Sequence, residues 1–153
     1  RGHAPQPQKI NFPHFLEQLM QRWQEQGLDT QRIKLEIADA NFIVIFDNHH
    51  LGQVMENLVT NALKYSDTTV TITASYRANG IPQVSISDKG SGVPADHQHR
   101  LFEPFFTLAK DGTGLGLFLS REHCQGNQAQ LTYQDNQPGA CFVITFVHPN
   151  KNL

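Results

Sequence analysis

The chain has 153 residues and a formal net charge of −2, with 12 Lys and Arg set against 14 Asp and Glu. That length fits one domain burying about two-thirds of its unfolded surface around a single core, and the charge supplies no basic footprint for nucleic acid or an anionic membrane. No apolar run approaches the roughly eighteen residues that span a bilayer, and Arg1 to Gln8 lacks the apolar core of a signal peptide, so the sequence reads as a soluble piece.

Residues 1–9 carry two Pro among polar residues and read as a linker, with the domain occupying 10–153. From Phe12, the residues Phe15, Leu16, Leu19, Met20 and Trp23 recur at helical steps, with Asn11 and Pro13 as start signals and Gly27 as the stop. Ile33, Leu35 and Ile37 alternate, and Phe42 to Phe46 is an apolar run; the two segments are expected to form a hairpin. Asp47 or Asn48 then caps a helix through Ser66. At about 100° per residue, Leu51, Val54, Met55, Leu58, Val59 and Ala62 gather on one side of it. Asn57, Asn61 and Lys64 fall within about 60° of each other on the other side. Asn is a poor helix former whose amide competes with the backbone, so two of them one turn apart call for a role.

Val70 to Tyr76 and Gln83 to Asp88 alternate around Ala78-Asn79-Gly80 and are expected to pair antiparallel. Lys89 to Gly112 is a long Gly-, His- and Pro-rich loop containing the aromatic stretch Leu101 to Phe106, and a loop of that length inside a domain is usually functional. Leu115 to His123 reads as a helix ending at Gly126-Asn127, and Leu131 to Tyr133 with Cys141 to Phe146 as a closing hairpin. Strands arriving in hairpins imply an α+β two-layer sandwich, a mixed and largely antiparallel sheet with three main helices on one face.

Cys124 and Cys141 are too few for a disulfide framework and suit a reducing cytoplasm; His49-His50 and His97-x-His99 lack metal-ligand spacing. Two other features carry chemistry. Strand alternation points Val84, Ile86 and Asp88 toward the apolar layer, and a carboxylate at the edge of a core needs donors. An exocyclic purine amine would be one, and Gly90 and Gly92 leave room for a planar ligand, although Asp88 alone also fits an ordinary turn. Gly112-Thr113-Gly114-Leu115-Gly116-Leu117 runs into a helix, where backbone N–H groups and the helix N-terminus suit phosphate. It is neither the Walker form nor the dinucleotide fingerprint. An Asn carbonyl suits Mg²⁺, which takes few protein ligands.

These stretches resemble, in order, the N box (Gln53 to Ser66), G1 box (Asp88 to Gly92), F box (Phe102 to Phe106) and G2 box (Gly112 to Leu117) of the ATP-binding catalytic domain of bacterial sensor histidine kinases. The resemblance implies the Bergerat sandwich, ATP and Mg²⁺ as cofactors, and an ATP lid from Gly92 to Gly112. By position it implies Asn61 on Mg²⁺, Asn57 and Lys64 near the phosphates, Tyr65 against the nucleotide and Asp88 on the adenine amine. Gly90, Gly92, Phe105, Gly112, Thr113, Gly114, Leu115 and Gly116 complete the implied nucleotide site, with Lys110 as the lid lysine. Relatives often carry Thr-Thr-Lys where this chain has Thr107-Leu108-Ala109-Lys110.

The resemblance extends to the kinases that control type IV pilus genes. It implies a cytoplasmic domain of a homodimeric parent anchored in the inner membrane, with its phosphoacceptor histidine on a separate dimerisation domain and a response regulator downstream. Neither His3 nor His14 has the phosphoacceptor context. The domain itself is expected to be a monomer without nucleic-acid or membrane contacts. Two alternatives stay open: a hydrolysing ATPase of the gyrase, Hsp90 and MutL branch, and a nucleotide-binding module without catalysis. The hydrolysing branch places a Glu where this chain has Asn57, and an Asn cannot act as the base that activates water.

Overall fold

The computed structural model describes residues 4–107, 112–136 and 138–150. Strand β1 (Pro7–Asn11) runs into helix α1 (Phe12–Glu25), where Asn11 Oδ1 accepts the His14 N–H at 3.0 Å and Pro13 occupies a first-turn position that needs no donor. Phe12, Leu16, Leu19 and Trp23 form the buried stripe of α1. A 3-10 turn at Thr30–Arg32 leads to β2 (Ile33–Ile37) and β3 (Ile43–Asp47). Helix α2 (Asn48–Tyr65) follows, capped by the Asp47 carboxylate, which accepts the His50 N–H at 3.0 Å. Then come β4 (Val70–Tyr76), β5 (Pro82–Ser87), a 3-10 helix at Ala95–Arg100, α3 (Gly116–Gly126), β6 (Gln130–Asp135) and β7 (Ala140–Thr145).

The main sheet has the order β2-β4-β5-β7-β6, with β2–β4 parallel and every other pair antiparallel. Alternation makes one face apolar: Val70, Ile72 and Ala74 of β4, Val84 and Ile86 of β5, and Phe142 and Ile144 of β7 are buried. The six apolar residues of α2 pack in the same core, each contributing about 2 kcal/mol of burial for the larger ones. The result is the expected α+β sandwich with its helices on one face.

Two expectations fail. The linker ends earlier than residue 9, because Pro7 to Asn11 pairs antiparallel with β3 in a second, two-stranded sheet. Only Ile10 of β1 is buried, so no alternation marks the strand in the sequence; its partner residues are 32 or more positions away, and backbone pairing alone defines it. The β2–β3 hairpin is also absent. Strand β3, with Val44, Ile45 and Phe46 buried, takes the interior place beside β1, while the more exposed β2 lies parallel to β4 at the edge of the main sheet.

The end of α2 is fastened by Arg32. Its guanidinium donates to the carbonyls of Leu63 at 3.2 Å, Thr68 at 2.9 Å and Ser66. A cation at a helix C-terminus satisfies carbonyls that the helix itself leaves open.

Candidate nucleotide-binding site

A cavity of about 400 Å³ opens between α2, the loop after β5, the start of α3 and β7. Helix α2 supplies one wall. Because Asn57, Asn61 and Lys64 are three or four residues apart, they share a face, and all three line the cavity with Thr60 and Tyr65. Asn57 also braces the cavity's far side: its Nδ2 donates to Ser120 Oγ at 3.2 Å and to the Gly116 carbonyl at 3.4 Å. The polar face of α2 is thereby tied to the first turn of α3.

Asp88 follows β5 and is 5% exposed. Its Oδ1 accepts the N–H of Gly90 at 2.8 Å and of Ala140 at 3.2 Å, and its carbonyl accepts Asn136 Nδ2 at 3.0 Å. Among the described residues both bonds to the carboxylate fall on Oδ1, which leaves Oδ2 as the acceptor for a donor in the cavity. The close packing here depends on glycine. A Cβ at Gly90 would overlap the Tyr65 carbonyl, and one at Gly139, whose φ is +110°, would overlap the Asp88 carbonyl. Three backbone segments can therefore meet around one carboxylate beside an apolar slot.

That slot is walled by Val93, Leu101, Phe106, Leu117, Ala140 and Phe142. The β5–β7 register explains two of these. Val84 faces Ile144 and Ile86 faces Phe142, so continuing the ladder sets Ala140 beside Asp88 on the same face. The Phe142 ring is held edge-on by Phe102 at 6.1 Å and by Tyr133 at 5.3 Å. The Arg100 guanidinium lies 4.5 Å from the centre of the Phe106 ring.

Of the residues singled out in the sequence, Asn57, Asn61, Lys64, Tyr65, Asp88, Gly92, Gly112, Thr113, Gly114 and Gly116 line this one cavity. Gly90 stands just behind Asp88, and Leu115 precedes α3 with its N–H on Thr113 Oγ1 at 3.3 Å. Phe105 is not brought to the cavity. It is 74% exposed with φ +69°, and its N–H donates to the Gly114 carbonyl at 2.8 Å; the positive φ turns its ring outward and leaves Phe106 on the wall. Gly114 is the glycine this contact requires, since a Cβ there would overlap the Phe105 backbone. At Gly116, by contrast, the nearest atom is Asn57 Cγ at an ordinary 3.8 Å. Lys110 lies outside the described residues.

Sequence reasoning did not assign Thr60, Val93, Leu101, Leu117, Ala140 or Phe142 to the site. Thr60 could have been found by its place on the Asn57–Asn61–Lys64 face, and Ala140 and Phe142 by pairing the last strand with β5. Nothing local marks Val93 or Leu101. Among the described residues no group of three or more His, Cys, Asp or Glu could hold a metal ion, so a cation at this site would depend on amide oxygens and on the ligand's own oxygens.

Residues 46–150 match the family described as histidine kinase-, DNA gyrase B- and HSP90-like ATPase. The sensor protein kinase PilS of Pseudomonas aeruginosa is 37% identical over 158 residues, covering 99% of this chain and 30% of that protein. The adaptive-response sensory kinase SasA of Gloeothece citriformis is 34% identical over 138 residues, 86% of this chain and 34% of its own length. The chain thus spans about a third of the length of these curated relatives. The catalytic domain of the histidine kinase ThkA, in a nucleotide-free form, has the same fold: the TM-score is 0.82 at 23% identity, over 96% of this chain and 99% of that one. With a cavity built from the end of α2, a glycine-framed carboxylate and the N-terminus of α3, and with more than half its length matched, this chain belongs to the histidine kinase-, DNA gyrase B- and HSP90-like ATPase family.

Proposed function

We propose that the chain is the ATP-binding catalytic domain of a sensor histidine kinase and presents the γ-phosphoryl of ATP to a histidine on a separate dimerisation domain. The observation that carries this reading is Asn57. It lines the cavity at the start of α3, where phosphates would meet backbone N–H groups and the helix N-terminus. Asp88 is the sole carboxylate among the described lining residues, and its Oδ1 is already committed to Gly90 and Ala140. Glu56, next to Asn57, is exposed and lines a neighbouring groove between the helices. With no base for water beside Asn57 among the described residues, transfer to a protein nucleophile is favoured over hydrolysis.

In this reading the adenine fills the slot between Phe142, Ala140 and Val93 and gives its amine to Asp88. Asn61 holds Mg²⁺ through its side-chain oxygen, which fits a cation that takes one or two protein ligands and brings the rest as water and phosphate. Bound there, Mg²⁺ supplies neutralisation of charge on the transferring group. Lys64, and Lys110 of the lid, stand as further phosphate contacts. Positioning by α2 and α3 is the main catalytic contribution expected of the protein.

The parent is proposed to be a homodimer that hands the phosphoryl on to a response regulator, as a kinase of the type IV pilus group with a membrane-anchored input. No helix among the described residues is long and apolar enough to cross a membrane. The decisive experiment mixes this domain with histidine-bearing helical hairpins and radiolabelled ATP. Acid-labile label on a hairpin supports the kinase reading; phosphate release without label favours the hydrolysing branch, and nucleotide binding with neither product favours a non-catalytic module.

A further inference from the structure

Val93, on the wall of the nucleotide cavity, has both backbone polar groups taken up by side chains from elsewhere. Its N–H donates to Tyr133 Oη at 3.1 Å, and its carbonyl accepts Gln98 Nε2 at 3.0 Å. Those two side chains then converge on one atom, since Tyr133 Oη donates to Asp135 Oδ1 at 3.1 Å and Gln98 Nε2 donates to the same oxygen at 3.0 Å. Four residues close a hydrogen-bonded ring.

The ring joins three parts of the chain. Val93 lies between Gly92 and Pro94 in a loop with no ladder partner, Gln98 is on the 3-10 helix Ala95–Arg100, and Tyr133 and Asp135 are on β6 at the edge of the sheet. Alternation along β6 puts Tyr133 and Asp135 on one face, and the Tyr133 ring packs against Phe142, itself a wall of the cavity. Tyr133 thus touches the site twice without entering it, through Phe142 by its ring and through Val93 by its hydroxyl. Burial, opposed by the Val93 N–H and reinforced by Asp135, raises the Tyr133 pKa, so the hydroxyl remains a donor at neutral pH. A loop residue that would otherwise exchange its hydrogen bonds with water is held in one place.

We propose that Tyr133, Gln98 and Asp135 are positioning residues for base recognition, fixing Val93 as a preformed wall of the adenine slot before nucleotide arrives. The inference rests on the reading of the cavity as an ATP site. It differs from the roles of Asn57, Asn61 and Lys64 in acting on the base and not on the phosphates. Preforming a wall removes part of the ordering cost of binding.

The test is calorimetry of ATP, ADP and GTP with the wild-type domain and with Tyr133→Phe, Gln98→Ala and the double variant. Tyr76→Phe is the matched control, because Tyr76 makes a similar bond to Asp39 Oδ2 at 3.0 Å and does not line the cavity. Tyr133→Phe should weaken ATP and ADP equally, by about fivefold, as expected for one hydrogen bond, and should narrow the preference for ATP over GTP. The double variant should lose less than the product of the two single losses, because the residues act through one ring. Amide exchange at Val93 should quicken in Tyr133→Phe while amides of β4 stay unchanged. Unchanged affinity and exchange in Tyr133→Phe, a loss confined to ATP with ADP unaffected, or an equal loss in Tyr76→Phe would overturn the proposal. Failure of the wild-type domain to bind any adenine nucleotide would instead overturn the reading of the cavity itself.

Discussion

Asp88 and Ala140 are joined twice across the β5–β7 ladder: the Asp88 N–H donates to the Ala140 carbonyl at 2.9 Å, and the Ala140 N–H returns at 3.2 Å to the Asp88 carboxylate instead of its carbonyl. The ladder's last donor is thereby spent on orienting the side chain. In Asp88→Asn the amide oxygen can keep the bonds from Gly90 and Ala140, and Nδ2 then replaces the acceptor left for the adenine amine. ATP affinity should fall by about two orders of magnitude, about 3 kcal/mol for a donor set against a donor, with the melting temperature little changed. Undiminished affinity by calorimetry would refute the adenine role.

Asn61 makes a separate prediction because it stands on the phosphate side of α2. Asn61→Ala should weaken ATP binding in Mg²⁺ by about tenfold while leaving binding in EDTA nearly as it is in wild type, the difference one cation ligand makes. An equal loss with and without Mg²⁺ would remove Asn61 from the metal.

The three bonds from Arg32 to carbonyls 31 to 36 residues further on make it the chief tie at the end of α2. Arg32→Ala should destabilise the domain by about 2 kcal/mol, given that charge-assisted bonds of this kind are partly exposed to water, and lower the melting temperature by about 6 °C. Arg32→Lys should recover only part of this, since a single ammonium cannot reproduce the guanidinium fork. Equal stability of Arg32→Ala and wild type in urea titration would show that the turn holds without it.

His123 of α3 stacks on His50 of α2, ring centroids 4.2 Å apart, and His50 Nδ1 lies 3.9 Å from Asp47 Oδ1. Burial, and then the neighbouring His50, hold the His123 pKa below its ordinary value of 6.5. The folded state therefore binds this proton less readily than the unfolded chain. Above about pH 6.5 neither state carries it and the full stability is present; as pH falls below that value the unfolded chain protonates first, and stability declines until the lower folded pKa is passed. Thermal melts of His123→Gln should show a flatter dependence on pH between about 6.5 and 5 than wild type. Identical slopes would place the acid sensitivity elsewhere.

Much of the site was legible because its signals are local. A period of 3.6 separated the core side of α2 from its Asn57–Asn61–Lys64 side, and all six apolar residues assigned to that core side are buried. A period of 2 sent Asp88 inward with Val84 and Ile86. The glycines around Asp88 and ahead of α3 announced close backbone contacts, although only the structure shows which contact each makes.

Which residues each helix and strand turns toward the core, and which polar residues it offers opposite, are readable from the chain alone, since both follow from the repeat of a single element. Whatever depends on a distant partner is set by the folded chain. Strand β1 exists through its pairing with β3, β2 runs beside β4 and not β3, and Phe106 replaces Phe105 on the cavity wall because Phe105 is turned by its bond to Gly114. Val93 is held by Tyr133, 40 residues further along the chain. Such contacts are chosen by competition among backbone and side-chain donors across the whole fold, and no window of neighbouring residues contains both members of the pair.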